Sequence, residues 1–166
     1  MLKIKLSLSI LVLSIVITTV ECGGDSDPID GQLIPTTEEI LDAPPILTVD
    51  DKDYILDSYL WRDFMPPRHE EGGSNLIASI SIIDQDSITI SQDISLDYLW
   101  VVNEEITWAT PFSNESRSDP AFKMNEIARN GPKWEIGISV DVVARVIVDG
   151  NVFKILAKDQ YIGRSD

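Results

Sequence analysis

The sequence predicts an all-β protein: an immunoglobulin-like antiparallel β-sandwich of about seven strands. Three observations lead there. Short runs rich in Val, Ile, Tyr and Trp recur along the chain, each closed by a cluster of Gly, Pro, Asn, Asp or Ser. Several runs alternate apolar and polar residues with the period of two that a half-buried strand requires. Two of them meet at Asp149-Gly150, the strongest short-range signal for a β-hairpin.

That hairpin makes a detailed expectation. With Asp149-Gly150 as a two-residue type I′ turn, Val148 faces Asn151, Val146 faces Phe153, Ala144 faces Ile155 and Val142 faces Ala157, all on one apolar face. On the other face Val143 meets Leu156 and Asp141 meets Lys158. Arg145 opposite Lys154 is a like-charge pair that demands solvent or a nearby carboxylate.

Taken in chain order, residues 1–21 carry Lys3 and Lys5 and then an uninterrupted apolar run, the layout of a secretory signal peptide. The run is short for a membrane span, so an uncleaved anchor is the second choice. Residues 22–49 hold Pro28, Pro35, Pro44 and Pro45 among scattered acids, and are read as an acidic flexible tether. Within them Thr36 to Leu41 has the composition for one helical turn. The sandwich domain is placed at 50–166. Strands are expected at 54–65, where aromatic content favours a strand although Tyr54, Asp57, Leu60 and Phe64 also fit one helical face, at 76–83 with Leu76, Ala78, Ile80 and Ile82 facing inward, at 88–90, at 96–102 and at 106–110. A turn near Asn103 joins the last two. Residues 121–129 carry mixed signals, with Met124, Ile127 and Ala128 set for a short helix. The tail from Gln160 to Arg164 is expected to dock as a strand extension.

Composition narrows the chemistry. The chain has 166 residues and a formal net charge of -15. So acidic a chain repels phosphate backbones, and no Lys/Arg cluster offers a groove, so nucleic acid is excluded as a partner. One His and one Cys exclude the usual His/Cys zinc sites. Asp84, Asp86 and Asp93 lie close together but match no calcium loop and are read as turn-forming carboxylates. No metal and no cofactor is expected. His69 is the single histidine, in a charged loop without a recognisable partner, and no Gly-x-Ser-x-Gly elbow occurs. Adjacent carboxylate pairs such as Glu104-Glu105 point to opposite faces of a strand. No catalytic residue is therefore named. The aromatic side chains are the remaining candidates. Trp61 with Arg62, and Arg129 with Trp134, form the candidate binding platform for a glycan or peptide. The competing reading buries these tryptophans between the two sheets.

A single cysteine staples nothing, so Cys22, directly after the apolar run, has another use. Followed by Gly-Gly-Asp-Ser-Asp-Pro, it resembles the lipid-bearing first residue of a bacterial lipoprotein; an ordinary signal peptide leaving a free thiol is the alternative. Further along, Tyr-Leu-Trp-Arg-Asp-Phe-Met-Pro from Tyr59, Leu-Trp-Val-Val-Asn from Leu99, Arg-Asn-Gly-Pro-Lys-Trp from Arg129, Val-Asp-Val-Val from Val140 and Asp-Gln-Tyr-Ile-Gly-Arg from Asp159 resemble an uncharacterised family of bacterial exported proteins. The leader resembles that of Bacteroidota-type lipoproteins. This resemblance implies export and anchoring at the cell envelope, and no activity. The expectation is a non-enzymatic binding or accessory module, held to a membrane through a lipidated Cys22, with a protein or glycan ligand. An extracytoplasmic polymer hydrolase using carboxylates from distant segments, and a subunit pairing through a sheet edge, are the alternatives.

Overall fold

The computed structural model describes residues 35–65, 72–86, 89–90, 94–113 and 120–166. Among them a short helix, α1 (Thr37–Leu41), precedes eight strands: β1 (Ile46–Val49), β2 (Lys52–Asp63), β3 (Leu76–Asp84), β4 (Ile94–Asn103), β5 (Ile106–Pro111), β6 (Lys123–Gly131), β7 (Ser139–Val148) and β8 (Asn151–Ser165). All-β is thus the architecture, as a curled sheet of order β5-β4-β7-β8-β2-β3-β6, with β1 paired to β2.

The β7–β8 hairpin has the expected register from Val148↔Asn151 through Val142↔Ala157. Asp149 and Gly150 both take positive φ, as a type I′ turn requires. The two cations of the like-charge pair find separate partners. Arg145 donates to both Asp97 oxygens, at 2.8 and 2.6 Å, and Lys154 donates to the Glu39 carbonyl at 2.7 Å. The expected Asp141–Lys158 pair does not form. A bulge falls there, so Val140 pairs with Gln160, and Asp141 instead accepts the Asp159 N–H at 2.9 Å.

This bulge reverses which residues of β8 face the core. With uninterrupted alternation after Ala157, Tyr161 would point inward and Ile162 outward. The extra residue, Asp159 at φ 56°, restores Ile162 to the interior and turns Tyr161 outward. Beyond the bulge β8 runs parallel to β2, from Leu60↔Ile162 to Asp63↔Ser165. The tail does extend the strand, but the resulting sheet is mixed rather than purely antiparallel. Where β2 and β8 diverge at the other end, residues 44–49 fill the gap: β1 pairs with β2, and Leu156 N–H bonds to the Pro44 carbonyl at 2.9 Å.

Two expectations on secondary structure are corrected. Residues 121–129 do not make a helix; β6 pairs with β3 along most of its length. Its pattern is hard to read because a bulge near Asn130, at φ 65°, breaks the alternation and Asn125 occupies a buried position. Asn125 accepts hydrogen bonds from Ser79 and Ser81 of β3 there, at 2.7 and 2.9 Å. Thr89 and Ile90 are not in a strand; Ile90 is buried and bonds through its N–H to the Ala121 carbonyl. Ser87, Ile88 and Asp93 lie outside the described residues.

The tether reading also changes, because residues 35–49 are part of the folded unit Ile34–Asp166. Thr36 and Glu39 form a reciprocal capping box, which satisfies N–H groups that a single helical turn otherwise leaves open. So short a helix has no stability of its own. It forms because Ile40 and Ala43 pack on the outer face of β4, β7 and β8, against Trp100, Val102, Val143 and Leu156. The main core lies inside the curl and draws on both halves of the sheet, with Leu60, Leu76, Ile80, Leu99, Val142, Ile155 and Ile162 fully buried. A bridge between Ser113 and Ile127, with an N–H to O distance of 2.7 Å, brings the chain after β5 to β6.

Candidate functional site

Side chains alternate along β2, and this alternation separates the expected platform residues. Arg62 points to the core side and is only 6 % exposed. Its guanidinium donates to the carbonyls of Ser74 (2.8 Å), Trp134 (2.9 Å) and Gly72, and it lies over the Phe64 ring. Arg164 covers the same ring, with its guanidinium carbon 4.3 Å from the centroid. Arg62 is therefore committed to closing one end of the sheet. Trp134 is half-buried and packs on the core, meeting Arg62 through its backbone. Arg129 is exposed on β6, separated from β2 by β3. Of the expected set, the structure brings together Arg62 and Trp134 in a structural contact and leaves Trp61 alone on the outer face. Cys22 and His69 lie outside the described residues.

Trp61 has other company. Tyr59, two residues earlier on the same face, stacks on it with ring centroids 5.1 Å apart and 25° between planes. Tyr59 is 58 % exposed and Tyr161 is 64 % exposed. The β2–β8 register pairs Trp61 with Gly163, so Tyr161 falls on the same outer face, one pleat before the glycine. The Tyr161 hydroxyl reaches toward Gly137, on the β7 side of β8; a Cβ at Gly137 would lie 3.6 Å from it. Between Trp61 and Tyr161 the sheet floor is therefore bare at Gly163. A Cβ added at Gly163 would meet nothing closer than the Leu60 carbonyl at 3.5 Å. Ile77 of β3 flanks Trp61 on its other side.

The polar groups around this strip are already paired. Asp57 bonds to Lys123 at 3.3 Å. Asp63 accepts the Met65 N–H at 2.9 Å and the Ser165 hydroxyl at 3.3 Å. The face thus offers aromatic surface, two phenol hydroxyls and an indole N–H. Tyr59 was not among the expected residues, though its place two residues before Trp61 in a strand was the signal that could have found it. Tyr161 was concealed, because its direction depends on the bulge at Asp159.

Elsewhere, Asp84 is 1 % exposed; its Oδ2 has no hydrogen-bond partner and lies 3.7 Å from the Lys52 ammonium. Its other oxygen accepts the Asp86 N–H at 3.0 Å, the turn-forming role expected of it. Among the described residues no group of three or more His, Cys, Asp or Glu side chains is placed to hold a metal. Set against protein-family models, curated proteins and solved structures, the chain matches none of them.

Proposed function

We propose that this protein is an exported, envelope-attached binding or accessory module without catalytic activity, and that its domain is an immunoglobulin-like sandwich. The observation that carries the binding reading is the exposed strip of Tyr59, Trp61 and Tyr161 on a sheet face whose strands are paired on both sides. Large aromatic side chains held in water are costly to leave uncovered and are favoured where a partner buries them. The strand order supports the fold reading. In the sheet order β3 and β6 follow β2 on one side, and β8, β7, β4 and β5 follow it on the other, while β2 pairs antiparallel with β3 and parallel with β8. A first long strand that joins the two halves of the sheet, with the chain's last hairpin in the second half, fits a variable-type sandwich. The motifs from Tyr59 to Arg164 that resemble an uncharacterised family of bacterial exported proteins support export. Cys22 after its apolar run supports a lipid anchor, which would hold the protein to a membrane without spanning it.

Two measurements test this. Mass spectrometry of the mature N-terminus is expected to find an acylated Cys22; a chain starting elsewhere with a free thiol overturns the anchor. Purified protein is expected to sediment with cell-envelope fragments, and Trp61→Ala to weaken that binding about tenfold. Equal sedimentation of both proteins would remove the strip as the binding surface.

A further inference from the structure

We infer that the Tyr59–Trp61–Tyr161 strip takes an uncharged polysaccharide, with one sugar ring seated over Gly163 between Trp61 and Tyr161. This rests on the binding-module reading above and names its ligand.

Three features of the face select this occupant. The first is backbone pairing. A peptide added as a strand needs free edge N–H and C=O groups. β2 lies between β3 and β8 at Trp61, so its main chain is already committed. The second is charge. At -15 the chain opposes an anionic polymer. A cationic peptide would need carboxylates turned toward it, and Asp57 and Asp63 beside the strip are engaged with Lys123, Met65 and Ser165. The third is shape. Trp61 borders Gly163 across the strand pair and Tyr161 borders it along β8, so that a floor without a side chain has indole and phenol groups at its rim. A sugar ring has C–H faces that pack on aromatic carbon and hydroxyls that exchange hydrogen bonds with such groups. Stacking of Tyr59 on Trp61 holds the indole in place before the ligand arrives, so little side-chain entropy is lost on binding.

Gly163 supplies the sharpest test. It lies in a strand, its φ is not positive, and a Cβ there meets only ordinary contacts. Gly163→Thr should therefore fill the floor while leaving the fold as stable or more so, since a β-branched residue suits a strand better than glycine. The full-length chain in mild detergent would be sedimented with insoluble cellulose, curdlan, mannan, starch and chitin, and with alginate and poly-lysine beads for comparison. Retention on at least one of the five uncharged glycans is expected. A loss of about tenfold or more is expected in Gly163→Thr and in the exposed variant Tyr161→Ala, with unchanged circular dichroism. Retention that both variants keep, retention confined to alginate or poly-lysine, or no retention on any of the five would overturn the inference. If the variants also release the protein from envelope fragments while every uncharged glycan fails, the binding module stands and its ligand is of another class.

Discussion

At the scale of the residue, Arg62 shows how strand alternation assigns roles. It is adjacent to Trp61 in sequence, yet the two point to opposite sides, one committed to structure and one exposed. The Arg62 guanidinium satisfies three carbonyls that would otherwise be left at a closed sheet end. Arg62→Ala is expected to cost about 3 kcal/mol in urea unfolding, and Arg62→Lys to recover little, because a single ammonium cannot reproduce the planar fork. Tyr54 makes a second residue-scale case. Burial first, then the Asp84 and Asp50 carboxylates, push its phenol above the ordinary tyrosine range. In the unfolded chain it ionises near pH 10, as an ordinary tyrosine does. Its contribution is therefore intact below that pH and is lost as pH rises toward its higher folded-state value. Alkaline unfolding should be delayed in Tyr54→Phe relative to wild type, with little difference between the two at neutral pH. Equal alkaline midpoints would contradict this.

At the scale of the element, α1 and the β8 bulge carry the most consequence. The Glu39 carboxylate is held below the ordinary glutamate range by hydrogen bonds from the Thr36 backbone N–H and then its hydroxyl. A lowered folded-state pKa means that this contribution is present above the unfolded value and is lost as pH falls through the folded one. Mild acid should therefore loosen α1 before the sheet unfolds. Trp100 beneath it would report the change as a shift in fluorescence that Thr36→Ala brings to higher pH. The bulge admits a harder test. Deleting Lys158 together with Asp159 leaves β8 with plain alternation from Ala157, which puts Tyr161 inside and Ile162 outside. A loss of about 4 kcal/mol is expected, the scale of emptying a buried aliphatic site. Asp159→Gly keeps the bulge and its positive φ and should be close to neutral.

At the scale of the whole molecule, the first long strand and the last lie side by side. The β2–β8 pairing joins distant parts of the chain, and the core inside the curl is shared by strands from both halves of the sheet. Charge acts at this scale too. With a formal charge of -15, self-repulsion opposes the folded state, and salt screens it. The thermal midpoint is expected to rise between about 0.01 and 0.15 M salt, where the screening length falls from about 30 to 8 Å. A flat or falling midpoint would show that local ion pairs such as Arg145–Asp97 outweigh the net repulsion.

Local chemistry was enough to place the hairpin and the long strands. A two-residue turn with positive φ and alternating β-branched residues leaves one register in which the valines are buried, and that is the register observed. The composition of Thr36 to Leu41 suggested the one helical turn, and the Thr36–Glu39 capping box that closes it is a finding of the structure. What could not be read locally was anything decided by a distant partner. Residues 35–49 look like a tether until the outer face of β7 and β8 gives Ile40 something to cover. The β6 segment looks helical until β3 supplies its hydrogen bonds. The aromatic strip assembles only because the bulge at Asp159 turns Tyr161 to the outer face that Tyr59 and Trp61 share. A bulge changes the parity of every residue after it, and its position follows from the fit of whole strands rather than from the residues at the bulge.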